Sequence, residues 1–136
     1  MTLTDTGPLV ALLDDDDDHH KACLAVAKTL PSGPLLTTWS CFTEAMYLLG
    51  EAGGYRFQER LWQMRHTGRL QLIELTAKET DRMAVLMAQY RNVPMDLADA
   101  SLVVAAESRG IRRLFTVDGD FYIYRLVDGS VLEAVR

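Results

Sequence analysis

Apolar positions in this chain fall into short runs whose period alternates between two and about 3.6, separated by Gly, Pro, Asn and Asp. Leu3-Thr4-Asp5 alternates like a strand and stops at Asp5-Thr6-Gly7-Pro8, so Asp5 falls at a strand tip. Pro8 suits a first helical turn, and Leu9 to Leu13 supplies a short helix. Asp14 to Asp18 reads as a self-repelling, solvated loop. The adjacent His19 and His20 lack the i,i+4 spacing of zinc motifs, and a helix through Ala22, Ala25, Val26 and Leu30 follows. Leu35 to Thr38 predicts a second strand. Ser40 is then placed as the N-cap of a helix carrying Phe42, Glu44, Ala45, Met46, Leu48 and Leu49, ended by Gly50 and Gly53-Gly54. An amphipathic helix follows through Phe57, Leu61, Trp62 and Met64. Residues 70–75 alternate as a third strand, and Thr76 caps a helix reaching about Tyr90.

The segment 94–106 differs from the others. After Asp96 and Asp99 it carries no charge until Glu107, so the helix it predicts is apolar on nearly all sides and therefore buried. The two carboxylates are three residues apart and share a face. They are either a cap with a short capping box or the wall of a site. Gly110 stops this helix. Residues 112–117 then form a strand tipped by Asp118-Gly119-Asp120, and 122–125 with 131–135 offer one more strand at an edge, turned at Asp128-Gly129.

Short strands alternating with helices predict an α/β fold, a three-layer α/β/α sandwich with a mostly parallel central sheet. Ligands of such sheets bind at the C-terminal edge of the strands. Asp5 and Asp118 end strands there, and Asp99 opens the helix that precedes the second of them. Glu44, near the start of its own helix, can reach the same edge. With 136 residues the chain is expected to form one domain, 1–136.

Composition sharpens this picture in one respect. The net charge is −5, from 19 acidic and 14 basic residues, but five of the acidic ones are the Asp14 to Asp18 run. Without that run the two signs balance, so a broad positive field for nonspecific nucleic-acid binding is disfavoured while a small metal-assisted site is not. No apolar run is long enough for a membrane span, and no basic residue precedes Lys21, unlike a signal peptide. With Cys23 and Cys41 in apolar helical contexts, the expected location is the cytoplasm. Several carboxylates in one place repel each other unless a cation sits among them, and oxygen-rich sets suit Mg²⁺ or Mn²⁺. A hydrolytic attack on a phosphodiester is the chemistry such a site implies.

The motifs Asp5-Thr6-Gly7-Pro8-Leu9-Val10-Ala11-Leu12, Thr43-Glu44-Ala45, Asp96-Leu97-Ala98-Asp99-Ala100-Ser101-Leu102 and Thr116-Val117-Asp118-Gly119-Asp120-Phe121 resemble, in order and spacing, those of PIN-domain ribonucleases. Among these, the VapC-type toxins of toxin–antitoxin pairs are similar in size. The resemblance implies a Mg²⁺- or Mn²⁺-dependent endoribonuclease restrained by a small antitoxin. It implies an acidic quartet of Asp5, Glu44, Asp99 and Asp118, with Asp96 as a further carboxylate at the metal and Asp120 as an alternative ligand. Thr6 and Thr116 would orient carboxylates or water. Candidate RNA contacts are Arg56, Arg60, Arg112 and Arg113, with Arg65, Arg69 and Arg125 behind them. A homodimer is also expected, since symmetric pairs are the commonest oligomer. The competing reading is a non-catalytic PIN-like module that binds RNA or protein. A receiver-like domain is disfavoured because no Lys follows Lys78.

Overall fold

The first strand, β1 (Thr2–Thr4), ends at Asp5 because Asp5 caps the helix that follows, α1 (Thr6–Leu13): its carboxylate accepts from the Thr6 N–H at 2.7 Å. The computed structural model describes residues 1–136. In chain order, α2 (His20–Thr29), β2 (Leu35–Thr38), α3 (Trp39–Gly53), α4 (Tyr55–His66), β3 (Leu70–Ile73), α5 (Ala77–Gln89), α6 (Leu97–Arg109), β4 (Arg113–Phe115), a 3-10 turn (Gly119–Tyr122) and β5 (Glu133–Val135) follow.

The five strands form one sheet in the order β3-β2-β1-β4-β5, and all four pairings are parallel. From β1 the chain moves outward to β2 and β3, then returns to the other side of β1 to form β4. Right-handed crossovers therefore place α1 to α4 on one face and α5 with α6 on the other. The core divides accordingly. Leu3, Leu36 and Leu114 pack with α5 and α6, while Leu9, Phe42, Phe57, Leu61 and Leu70 form the core under α1, α3 and α4. Alternation along each strand delivers these side chains to opposite faces, as the register Leu3↔Leu36 and Leu3↔Leu114 requires. The expected three-layer parallel α/β/α fold is the observed one.

Three local expectations are corrected. The N-cap of α3 is Thr38, whose hydroxyl accepts from the Cys41 N–H, and not Ser40. The last strand residue thus doubles as the cap, and the helix starts directly at the sheet edge. Gly50 does not end α3, which continues to Gly53 and stops at Gly54 in the left-handed region at φ 72°. Residues 122–125 are not a strand. Asp118 caps a 3-10 turn there by accepting from the Asp120 N–H at 2.9 Å, and only Glu133–Val135 pairs with β4.

α6 is the buried helix that its sequence predicts, with every residue from Ala98 to Ala106 buried. Of the two alternatives for Asp96 and Asp99, the cap with its capping box is present. The Asp96 carboxylate accepts from the Asp99 N–H at 2.8 Å, and the Asp99 carboxylate accepts from the Asp96 N–H at 3.2 Å. Thr38 and Ser101 hydroxyls meet at 2.6 Å, tying the first turns of α6 to the end of β2.

Candidate metal centre

Between β1 and β4 the strand order reverses direction, and the C-terminal ends of those two strands bracket the crevice where an open parallel sheet binds ligands. Asp5 enters it directly after β1. Its two oxygens are held separately: Oδ1 accepts from the Thr6 N–H, and Oδ2 accepts from the Thr116 hydroxyl at 2.8 Å. Thr116 in turn accepts from the Asp118 N–H at 3.0 Å, so one buried hydroxyl links the tips of β1 and β4. The close approach of these tips explains Gly7. A Cβ at that position would lie 2.7 Å from Val117 Cγ2.

Asp99 arrives from α6. Besides the Asp96 N–H, its Oδ2 accepts from the buried Tyr124 hydroxyl at 3.2 Å. Tyr124 is fixed edge-on by Tyr90 and Phe121, with centroids 5.2 and 5.3 Å away. Both protein donors go to Oδ2, which leaves Oδ1 open to the crevice. Asp118, half-buried, completes the group. One carboxylate oxygen from each of Asp5, Asp99 and Asp118 lies within 4.8 Å of the other two.

The electrostatics follow from that crowding. Burial raises Asp5 to about 6, helped by the charges of Asp118 and Glu44 and opposed by the bonds from Thr116 and Thr6. Burial raises Asp99 to about 7, with Asp96 and Asp5 adding repulsion and the Asp96 N–H and Tyr124 hydroxyl opposing it. Cys41 Sγ stands 4.0 Å from Asp5 Oδ1, its thiol pushed up to about 12 by burial, and it lies outside the three-carboxylate group. The available donors are therefore all oxygens, the set that suits Mg²⁺ or Mn²⁺. A divalent cation would relieve the repulsion that now favours protonation.

Other residues expected at the site lie around this group. Glu44 is exposed on α3 and outside the three-carboxylate cluster, although its carboxyl is raised by partial burial and by Asp96. Asp96 is exposed and its Oδ1 is engaged by the helix cap, also outside the cluster. Asp120 follows Asp118 in the 3-10 turn, half-buried. The Thr6 hydroxyl donates to the Cys41 carbonyl at 3.4 Å, and its N–H rather than its hydroxyl orients Asp5.

Of the arginines expected to meet RNA, Arg125 reaches the turn beyond Asp118, donating to the Tyr122 carbonyl, whereas Arg60, Arg112 and Arg113 are engaged elsewhere. Arg112 precedes β4 at the opposite edge, paired with Asp128, and Arg113 opens that strand. Arg60 donates to the Leu13 carbonyl, at the end of α1 remote from Asp5, and Arg56 and Arg60 lie against the Phe57 ring. Tyr124 had no signal in the sequence as a partner of Asp99; Tyr-Ile-Tyr-Arg alternates like a strand. Arg136, which leaves β5 at the carboxylate edge, was likewise not singled out.

A parallel α/β sheet with a buried carboxylate cluster at its switch point is the class of fold and site that these elements define. The PIN domain family model matches residues 2–126, and the chain belongs to the PIN domain family, whose members are in general nucleases. Among solved structures, that of VapC20 from Mycobacterium tuberculosis, a toxin cleaving the sarcin-ricin loop, is similar at TM-score 0.84 and 20% identity, covering 94% of this chain and 98% of that one. VapBC2 of Rickettsia felis, bound to a DNA fragment from its promoter, matches at TM-score 0.64, with 15% identity over 98% of this chain and 97% of its own. A toxin–antitoxin complex from Klebsiella pneumoniae matches at 0.66, with 18% identity over 89% and 90%. These likenesses show the fold. No curated protein matches the sequence.

Proposed function

We propose that this chain is a Mg²⁺- or Mn²⁺-dependent endoribonuclease and the toxin of a toxin–antitoxin pair. The observation that carries the reading is the cluster of Asp5, Asp99 and Asp118, each held by backbone or hydroxyl donors while facing the others. A cation bound there would supply activation of water and neutralisation of a phosphoryl oxygen. Asp5, Asp99 and Asp118 would hold it, with Asp96 and Asp120 as further carboxylates joined to Asp99 and Asp118 by the backbone bonds of their turns. Glu44, raised in pKa at the rim by partial burial and Asp96, would accept or return a proton in this reading. Thr116 fixes Asp5 and the Asp118 backbone, and Thr6 fixes the start of α1.

Support for a protein partner comes from the same edge. Trp39, Tyr47 and Leu97 are 42%, 65% and 53% exposed around a cleft of about 670 Å³ that Glu44 and Asp96 also line. A small antitoxin covering this rim would bury that apolar surface and block the carboxylates. Similar folds have been solved as VapBC complexes, and it is by that likeness that the partner is assigned here.

Purified chain with Mn²⁺ should cleave a structured RNA, and Asp99→Asn should abolish the cleavage. Equal cleavage by both would refute the assignment of the site. Absence of any Mn²⁺ or Mg²⁺ binding by calorimetry would favour the non-catalytic binding module instead.

A further inference from the structure

Directly beyond Asp118, the 3-10 turn presents an aromatic ring to solvent with a guanidinium laid against it. Phe121 is buried and packs edge-on to Tyr124, which anchors the turn and leaves its neighbour Tyr122 facing outward, 62% exposed. The Arg136 guanidinium lies 5.5 Å from the Tyr122 ring centroid. Because Val135 pairs with Phe115 in parallel register, Arg136 leaves the sheet at the same edge as Asp118. Its terminal nitrogen is 3.7 Å from the place a Cβ on Gly119 would occupy, which puts the guanidinium in van der Waals reach of the residue next to Asp118. Arg125 braces the turn from behind by donating to the Tyr122 carbonyl.

The ion pairs of this chain engage His20, Arg82, Arg109 and Arg112, so Arg136, like most of its lysines and arginines, has no carboxylate partner, although Asp118 and Asp120 are in the adjoining turn. It is thus an exposed cation held on an aromatic face at the rim of an acidic crevice. A cation–π pair at an exposed position contributes only about 0.5–1 kcal/mol to the fold. The same two groups are what single-stranded nucleic acid engages: bases stack on exposed aromatic rings irrespective of sequence, and guanidinium groups neutralise phosphates.

We propose that Tyr122 and Arg136 form a subsite for the RNA nucleotide next to the one cleaved, with Tyr122 stacking on the base and Arg136 contacting its phosphate. This rests on the ribonuclease reading above, which supplies the position of the scissile phosphate at the carboxylates. It moves RNA contact from the arginines of the opposite edge to the β5 side of the site. An acidic protein segment is the other ligand that an arginine–tyrosine pair would take, and the test separates the two.

The test uses the full chain carrying Asp99→Asn, so that RNA is bound and not cut, and reads anisotropy of a fluorescein-labelled single-stranded RNA with Mn²⁺ present. Tyr122→Ala should weaken binding roughly tenfold, within the range expected for loss of one stacked base. Arg136→Gln should weaken it several-fold and reduce the slope of log affinity against log salt by about one. Lys28→Gln, at the far edge, serves as the comparison and should leave affinity unchanged. Tyr122→Leu, which keeps apolar bulk without the ring, stands in if the alanine variant unfolds. Affinities of the Tyr122 and Arg136 variants within twofold of the parent overturn the subsite while leaving the nuclease reading in place. So does unchanged RNA affinity combined with lost binding to a polyglutamate peptide. A parent chain that binds no RNA overturns the nuclease reading and the subsite together.

Discussion

Asp99→Asn separates the cost of the acidic cluster from its use. In the folded chain Asp99 is raised from 3.8 to about 7, chiefly by burial. Between about pH 4 and 7 the native state therefore holds a proton that the unfolded chain releases, so stability falls as pH rises through that window. At 1.36 kcal/mol per unit the ceiling is about 4 kcal/mol at pH 8. Asp118, half-buried, leaves the crevice open to water, and screening there reduces the working figure to about 2 kcal/mol. Asn is nearly isosteric, keeps an acceptor for the Asp96 N–H and the Tyr124 hydroxyl, and carries no charge. The variant should then melt about 5–10 °C above the parent at pH 8 in EDTA, and only about 2–4 °C above it at pH 5, where roughly a third of the cost has been incurred. Thermal unfolding of both chains at the two pH values is the assay. A variant less stable than the parent at pH 8, or a difference independent of pH, would refute the claim that Asp99 is held at a cost. Cleavage should be lost under all conditions, so the gain in stability and the loss of activity would come from one atom.

Tyr124→Phe removes only the hydroxyl that donates to Asp99 Oδ2, and Mn²⁺ titration by calorimetry should show affinity about tenfold weaker, as for partners that orient metal ligands elsewhere. Thr116→Val deletes the link between Asp5 and the Asp118 N–H, with about 1–3 kcal/mol of stability lost in urea unfolding together with Mn²⁺ affinity. Gly7→Ala places a methyl 2.7 Å from Val117 Cγ2, costing about 1–3 kcal/mol, and the double variant with Val117→Ala should recover most of it in the same unfolding assay.

The parts of this site that were legible in sequence are those with local signals. Asp5 and Asp118 follow short β runs and precede turn residues, and Asp99 opens a helix too apolar to sit at a surface. Once strands alternate with helices, a parallel sheet brings those three tips together. Tyr124 could not be read, because its partner Asp99 is 25 residues away and its own neighbourhood alternates like a strand. The placement of Arg112 and Arg113 was not legible for a different reason. A helix face or strand end carries no mark of which sheet edge it occupies until the direction of each element is known, and Arg112 and Arg113 open β4 rather than end it. Glu44 shows how a small error in a cap propagates. With Thr38 rather than Ser40 as N-cap, α3 starts two residues earlier, and Glu44 sits about 3 Å further along the axis from the edge than its expected first-turn position.

That displacement makes the number of metal-holding carboxylates testable. The donors fixing Asp5, Asp99 and Asp118 are neutral: the Thr6, Asp96 and Asp120 N–H groups and the Thr116 and Tyr124 hydroxyls. No arginine or lysine is paired with any of the three, and the paired ones lie elsewhere, on Glu107, Glu79 and Asp128. The fold orients the carboxylates without neutralising them by a basic side chain, so their repulsion is relieved by protonation or, on the function proposed above, by a bound cation. Mn²⁺ at one hundred times its Kd should then add about 2.7 kcal/mol to the stability of the parent chain. Asp118→Asn removes one of the three oxygens that converge and should lower Mn²⁺ affinity more than tenfold. Glu44→Gln, on a carboxyl outside the group, should leave Mn²⁺ affinity within about threefold of the parent while slowing cleavage. Equal losses of Mn²⁺ affinity in the two variants would mean that four carboxylates, not three, hold the metal, and that α3 must shift toward the sheet edge when it binds.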